Sequence, residues 1–265
     1  LSTPTTAHID IHRAGDRMKT RVAWLDSKHS FSFGEHYDPD NTHHGLLLVN
    51  NEDIVLPGEG FDTHPHRDME IVTWVLNGSL VHQDSLGHAG VIYPGLAQRM
   101  SAGTGILHSE KNDSWRLPRD QGGTAQHAEP VHFVQMWVVP DEPGITPGYQ
   151  QLEIDDELAG GGLVTVATGM PRYRDRAAIA ISSSHSALHV ARMPGTVAGT
   201  PAVVTLPEAP YLHVFIARGQ VDMEGVGTLY EGDAVRMAHS GGQRIVAENP
   251  AEVLVWEMHA RLGGQ

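Results

Sequence analysis

Short apolar runs rich in Val, Ile and Leu recur along the whole chain, each closed by Gly, Pro, Asn or Asp. They include Gly45–Val49, Glu70–Leu76, Val131–Val139, Leu163–Ala167, Ala187–Met193, Tyr211–Arg218 and Glu252–Met258. Turn dipeptides separate them: Asn77-Gly78, Pro94-Gly95, Arg218-Gly219 and Gly232-Asp233. Many short strands punctuated by turn chemistry read as a β-sandwich or small barrel. The 29 Gly and 16 Pro follow no period, which fits a turn-rich fold and excludes collagen. Little helix is expected, and the best helical candidate is Arg17–Asp26.

The text Pro140-Asp-Glu-Pro-Gly-Ile-Thr-Pro-Gly, followed by Asp155-Asp-Glu-Leu-Ala-Gly-Gly-Gly, is dense in turn formers, as at a domain boundary. Two domains are expected, 1–140 and 141–265. They look like copies of one unit. Trp74-Val-Leu-Asn-Gly78 matches Val214-Phe-Ile-Ala-Arg-Gly219, Pro94-Gly95 matches Glu231-Gly232, Arg99-Met100 matches Arg236-Met237, and Leu107-His-Ser-Glu110 matches Ile245-Val-Ala-Glu248. The offsets of 141, 137, 137 and 138 residues are nearly constant, the mark of a duplicated β-domain.

Charge and composition exclude several function classes. Lys and Arg number 18 against 32 Asp and Glu, a net charge of −14. Binding to phosphate backbones or anionic membranes needs a basic surface, so neither direct nucleic-acid binding nor membrane attachment is expected. The acidic balance leaves room for a protein partner. With no Cys there is no disulfide, thiolate metal site or thiol catalysis. No run approaches a membrane span, and the first residues lack the basic start and apolar run of a signal peptide. A soluble, cytoplasmic protein is expected.

The 18 His stand out, and two short texts carry chemistry: Thr63-His-Pro-His66 and Leu107-His-Ser-Glu110. On a strand, residues i and i+2 project from the same face. His64 and His66 then point together, as do His108 and Glu110. Facing each other across a barrel, they make a pocket of three imidazoles and one carboxylate, which suits iron, manganese, nickel, copper or zinc. His127-x-Glu129 has the same form, but Pro130 follows directly and suits a loop or strand start. His82 and His88 flank a hairpin near the site and are candidate neighbours of the ligands. Trp137, Trp74, Met100 and Met136 pack the barrel or line its cavity. His43 and His44 are adjacent, so on a strand they face opposite sides, and His127, His132, His185 and His189 read as surface or core residues.

The run Gly60-Phe-Asp-Thr-His-Pro-His-Arg-Asp-Met-Glu70, with Gly78, Pro94-Gly95 and His108 beyond it, resembles the paired motifs of the cupin superfamily. Finer text resembles the pirin family and its quercetinase-like bacterial members: Trp24-Leu-Asp-Ser-Lys-His-Ser-Phe-Ser-Phe33, Val81-His-Gln-Asp-Ser85, Met100-Ser-Ala-Gly-Thr-Gly-Ile-Leu-His-Ser-Glu110 and Gly144-Ile-Thr-Pro147. The likeness is strong from about residue 8 to 148. It implies an all-β bicupin, two β-barrel (jelly-roll) domains with one divalent metal, iron foremost, in the N-terminal one. The family's ligands map onto His64, His66, His108 and Glu110. Other cupins ligate through the position of Glu70, which pirin-like proteins as a rule do not; Glu70 is expected beside the ligands, on their strand face if no bulge intervenes. Val246 stands against His108, so the second domain is expected to lack metal ligands, and His213 there reads as a packed or surface strand residue. The resemblance implies a dioxygenase that opens quercetin-like flavonols with O2 and loss of carbon monoxide, Glu110 accepting the flavonol proton. The rival reading is a metal-binding regulatory or redox-sensing protein acting through a protein partner. An apolar cavity reaching the metal would favour the enzyme; an acidic patch beside an exposed apolar surface would favour the regulator.

Overall fold

A computed structural model describes residues 7–113 and 127–263. The first half contributes β1 (His8–His12), β2 (Met18–Val22), β3 (Leu25–His29), β4 (Leu47–Val55), β5 (Gly60–His66) and β6 (Glu70–Asn77). It continues with β7 (Leu80–Asp84), β8 (Ala89–Ile92), β9 (Leu96–Ser101), β10 (Ile106–Lys111), β11 (Val131–Val138) and β12 (Gly148–Glu153). A single helical turn, α1 (Asp155–Leu158), leads to β13 (Val164–Thr168), β14 (Ile179–Ala180), β15 (Ser186–Met193), β16 (Ala202–Thr205) and β17 (Ala209–Arg218). The chain closes with β18 (Gln220–Met223), β19 (Gly227–Tyr230), β20 (Ala234–Ser240), β21 (Arg244–Ala247) and β22 (Ala251–Met258). Each of the seven apolar runs forms a strand. No helix among the described residues is long and apolar enough to cross a membrane.

The duplication is visible strand by strand. A seven-stranded sheet, β12-β9-β6-β11-β4-β3-β2, faces a four-stranded sheet, β5-β10-β7-β8. The second half repeats them as β1-β20-β17-β22-β15-β13-β14 and β16-β21-β18-β19. Matched turns share backbone geometry: φ is 76° at Gly78 and 74° at Gly219, 87° at Gly95 and 85° at Gly232, values that glycine adopts without a Cβ penalty. The edge strands are exchanged. β1, from the extreme N-terminus, pairs with β20, with His8 opposite Ala238, while β12 pairs with β9. This is a bicupin.

The central strands are buried on both faces, which explains their near-continuous apolar text. On β6, Val72, Trp74 and Leu76 join Val134, Met136, Leu188, Leu254 and Trp256 in a core between the two large sheets. Trp74 Nε1 donates across it to Glu252 Oε1 at 2.6 Å. Val75 turns the other way, into the first barrel with Leu80, Ile92, Val131 and Phe133. The second barrel is filled with hydrocarbon, including Leu212, Val214, Ile216, Val235, Met237, Val253 and Val255. The first barrel instead carries Ser27, His29, Asn51, Asp53, Thr73, Glu110 and Gln135 as buried polar residues.

One expectation is overturned. Arg17–Asp26 is not helical; β2 and β3 form a hairpin there, with Val22 opposite Leu25. The buried–intermediate alternation of Leu25–His29 has period two and seats this strand against β4.

Candidate metal centre

β5 and β10 run antiparallel with His108 directly opposite His64, and Glu110 opposite Phe61. The three-residue step from Phe61 to His64 against the two-residue step from Glu110 to His108 is a β-bulge, a device that re-aims side chains. Gly60 makes the close approach between the strands possible, since a Cβ there would lie 2.2 Å from the Glu110 carbonyl oxygen. One ring nitrogen each from His64, His66 and His108 then fall within 4.8 Å of one another. His64 Nε2 and His108 Nε2 are 3.0 Å apart.

The partners of the outer ring nitrogens fix which nitrogen carries the lone pair. His64 Nδ1 donates to the Asp62 carbonyl at 2.7 Å, leaving Nε2 free to ligate. His82 Nε2 donates to Asp84 Oδ2 at 3.1 Å, so its Nδ1 is an acceptor 3.4 Å from His108 Nδ1. That directs the His108 proton outward and its Nε2 lone pair inward. His66 Nε2 is buried without a hydrogen-bond partner. Burial, reinforced by neighbouring imidazoles, holds His66 down to about 4 and His108 to about 2, so both are neutral at ordinary pH. Three convergent imidazoles, one of them orphaned, fit a divalent cation.

Glu110 stands beside this trio, its Oε2 3.9 Å from His108 Nε2. Its Oε1 accepts a hydrogen bond from Gln135 Nε2 at 2.7 Å, and Gln135 Oε1 accepts from Trp137 Nε1 at 3.0 Å. Burial, with the charge of Asp53 adding to it, pushes the Glu110 carboxyl up to about 8 against the Gln135 bond. Asp53 is itself pushed up to about 7 by burial, although the Ser27 hydroxyl bonds it.

Glu70 does not share the face of the histidines. β5 ends at His66 and β6 begins at Glu70, with Asp68 between them at φ 48°. The Glu70 carboxylate instead accepts from Ser101 Oγ (2.9 Å) and Ser182 N (3.0 Å), tying the two halves together. His82 does lie against the site, whereas His88 is one step out, bonded to Asp84 at 3.0 Å. His127 bonds Asn112 and Ser79 outside any strand. In the second half, Val246 on β21 faces Val203 where His108 faces His64 in the first, so no imidazole pair forms.

The donors open onto a cavity of about 680 Å³ whose lining includes Phe33, Phe61, His64, His66, Glu110 and Trp137. Trp137 meets the His66 ring edge-on at 4.8 Å. The far wall carries His29, held by Asn51 Oδ1 (2.9 Å) and Thr20 Oγ1 (2.8 Å) and stacked on Phe33. Motif reading missed Gln135, Asp53 and His29. A signal existed: Gln135 interrupts the apolar run Val131–Val138, and Asn50-Asn51-Glu52-Asp53 interrupts β4.

The family model of Pirin matches residues 12–138. The crystal structure of the bacterial pirin YhhW from Escherichia coli in complex with nickel(II) superposes with a TM-score of 0.80 at 31% identity, covering 96% of this chain and all of that one. The chain belongs to the pirin family. A second crystal structure of YhhW gives a TM-score of 0.79 at 32% identity with the same coverage. A Mycobacterium tuberculosis protein named "Putative quercetin 2,3-dioxygenase Rv0181c" is 60% identical to this pirin over 259 residues, 97% of this chain and 98% of the relative. The quercetin 2,3-dioxygenase of Escherichia coli K12 is 44% identical over 147 residues, 56% of this chain and 58% of that protein.

Proposed function

We propose that this pirin is a metal-dependent dioxygenase that opens quercetin-like flavonols with O2 and loss of carbon monoxide. His64, His66, His108 and Glu110 hold the metal, with iron as the resident ion of a cytoplasmic enzyme; the same donors suit manganese, nickel, copper and zinc. Residues 1–140 form the metal-binding domain and 141–265 a companion without ligands, in keeping with the hydrocarbon filling of the second barrel. The single observation that carries the reading is an aromatic-lined cavity of about 680 Å³ with imidazole nitrogens in its wall. That volume lies in the range of small-molecule sites, and an aromatic-walled cavity reaching the donors favours an enzyme over a partner-binding regulator. The names of the relatives point the same way.

Bound there, a divalent cation supplies Lewis acidity that lowers the pKa of the flavonol 3-hydroxyl. Glu110 is the group placed to take that proton, its Oε2 lying 3.9 Å from His108 Nε2, while Gln135 keeps its other oxygen fixed. Trp137, Phe33 and Phe61 offer aromatic surface to a flat polycyclic substrate and exclude water from it. The test is oxygen uptake on quercetin by wild type and His66→Ala, with metal content measured on the same samples. Joint loss of metal and turnover supports the reading. Wild-type turnover in metal-free protein overturns it.

A further inference from the structure

The second half carries its own cavity, of about 400 Å³, remote in sequence from the histidines of the first. Leu163 and Leu206 give it an apolar wall, the Tyr173 ring forms another side, and Thr165 and His189 form the polar floor. Glu157 and Arg176 are exposed at its rim. The Arg176 guanidinium carbon lies 4.5 Å over the Tyr173 ring.

Behind the floor is Glu257, fully buried. It pairs with Arg172 and accepts the Tyr173 hydroxyl at 2.8 Å, as an acceptor-only carboxylate does. His189 Nε2, 2.9 Å from Glu257 Oε2, must therefore be the donor. Burial, aided by Arg176 and Arg172, holds His189 down to about 4, so its other nitrogen, Nδ1, bears a lone pair. Thr165 Oγ1 is 3.1 Å from that nitrogen and gives it its only proton. Thr165 lines the cavity, and its hydroxyl oxygen is thus left with lone pairs alone to offer. It can accept a hydrogen bond from a ligand but has none to give.

The deep end therefore asks for a hydroxyl donor, the walls for a ring, and the rim offers one cation beside one carboxylate. We infer that this cavity binds a mono-hydroxylated aromatic acid, its phenol hydroxyl donating to Thr165 Oγ1 and its carboxylate facing Arg176. Glu157 disfavours a second acid group. The site is independent of the metal centre and of the activity proposed for it.

Calorimetric titration of the full chain with benzoate, phenol, meta-hydroxybenzoate and para-hydroxybenzoate tests this. One hydroxybenzoate should bind about fivefold or more tighter than benzoate and phenol, the worth of one net hydrogen bond or ion contact. Thr165→Val should erase the advantage over benzoate, Thr165→Ser should keep it, and Arg176→Gln should weaken both acids while sparing phenol. His66→Ala should change none of these affinities. The inference is overturned by absence of binding, by equal affinity for benzoate and the hydroxybenzoates, or by an advantage that persists in a Thr165→Val protein of wild-type circular dichroism. Loss of binding in His66→Ala would place the ligand in the first cavity and overturn it equally.

Discussion

At the scale of single residues, Gln135 links the aromatic wall to the carboxylate. It donates to Glu110 and accepts from Trp137, so it sets where the Glu110 oxygens sit. Gln135→Leu removes both bonds with little change in volume. Leaving buried polar groups without partners costs about 1–3 kcal/mol each, so turnover on quercetin should fall about tenfold while metal content is kept. Steady-state oxygen uptake beside metal analysis checks this; unchanged turnover would free Glu110 of the role given it here. That His64, His66 and His108 come together with Glu110 beside them was legible in the sequence, because i, i+2 spacing on a strand is a local rule. Gln135 and Asp53 show in the sequence as polar breaks in apolar runs, but that they share one cavity with His29 was not legible, because strands far apart in the chain bring them together. Glu70 was misread because the same rule stops at the end of a strand, and β5 ends before it.

At the scale of elements, the β5–β10 ladder decides whether the imidazoles converge. Gly60 has φ 149° and sits against Glu110 and Lys111, with no room for a Cβ. Gly60→Ala should force the strands apart, cost about 2 kcal/mol or more, and loosen metal binding in parallel. Thermal melts and metal competition on the same variant test the coupling; a destabilised protein with wild-type metal affinity would uncouple the ladder from the centre. The strands themselves were largely legible, since apolar runs closed by turn residues are set by neighbours in sequence. The β2–β3 hairpin was not, because its polar, charged text gains its period from pairing with β4. The exchange of β1 and β12 was not legible either: no local pattern tells His8 that it will meet Ala238.

At the scale of the whole molecule, burial of ionisable groups links folding to pH. Burial, with Arg236 adding to it, holds His44 down to about 4, although it donates to the Met237 carbonyl. The unfolded chain takes up that proton near 6.5, so stability falls as pH drops from 6.5 to about 4. Burial opposes the charge of Glu52, but His132 and Arg17 outweigh it and hold it at about 2; its contribution is present above 4.5 and fades as pH falls toward 2. Each group is worth up to about 3 kcal/mol. Melting temperature in the presence of chelator should thus decline in two stages, the first beginning near pH 6.5. His66, His108 and His189, held down by burial too, share that first stage, so His44→Gln should make it shallower without removing it, and a slope unchanged in that variant would assign it to the others. The duplication was visible at this scale in the sequence, as four matched landmarks; which copy kept a polar interior was visible only through His108 against Val246.

The most direct measurement is oxygen consumption on quercetin during titration of chelator-stripped protein with ferrous ion under controlled conditions. Turnover should be absent at the start, rise in proportion to added metal, and level off at one ion per chain. Full turnover before any metal is added, or a plateau only at two ions per chain, would contradict a single centre built on His64, His66 and His108.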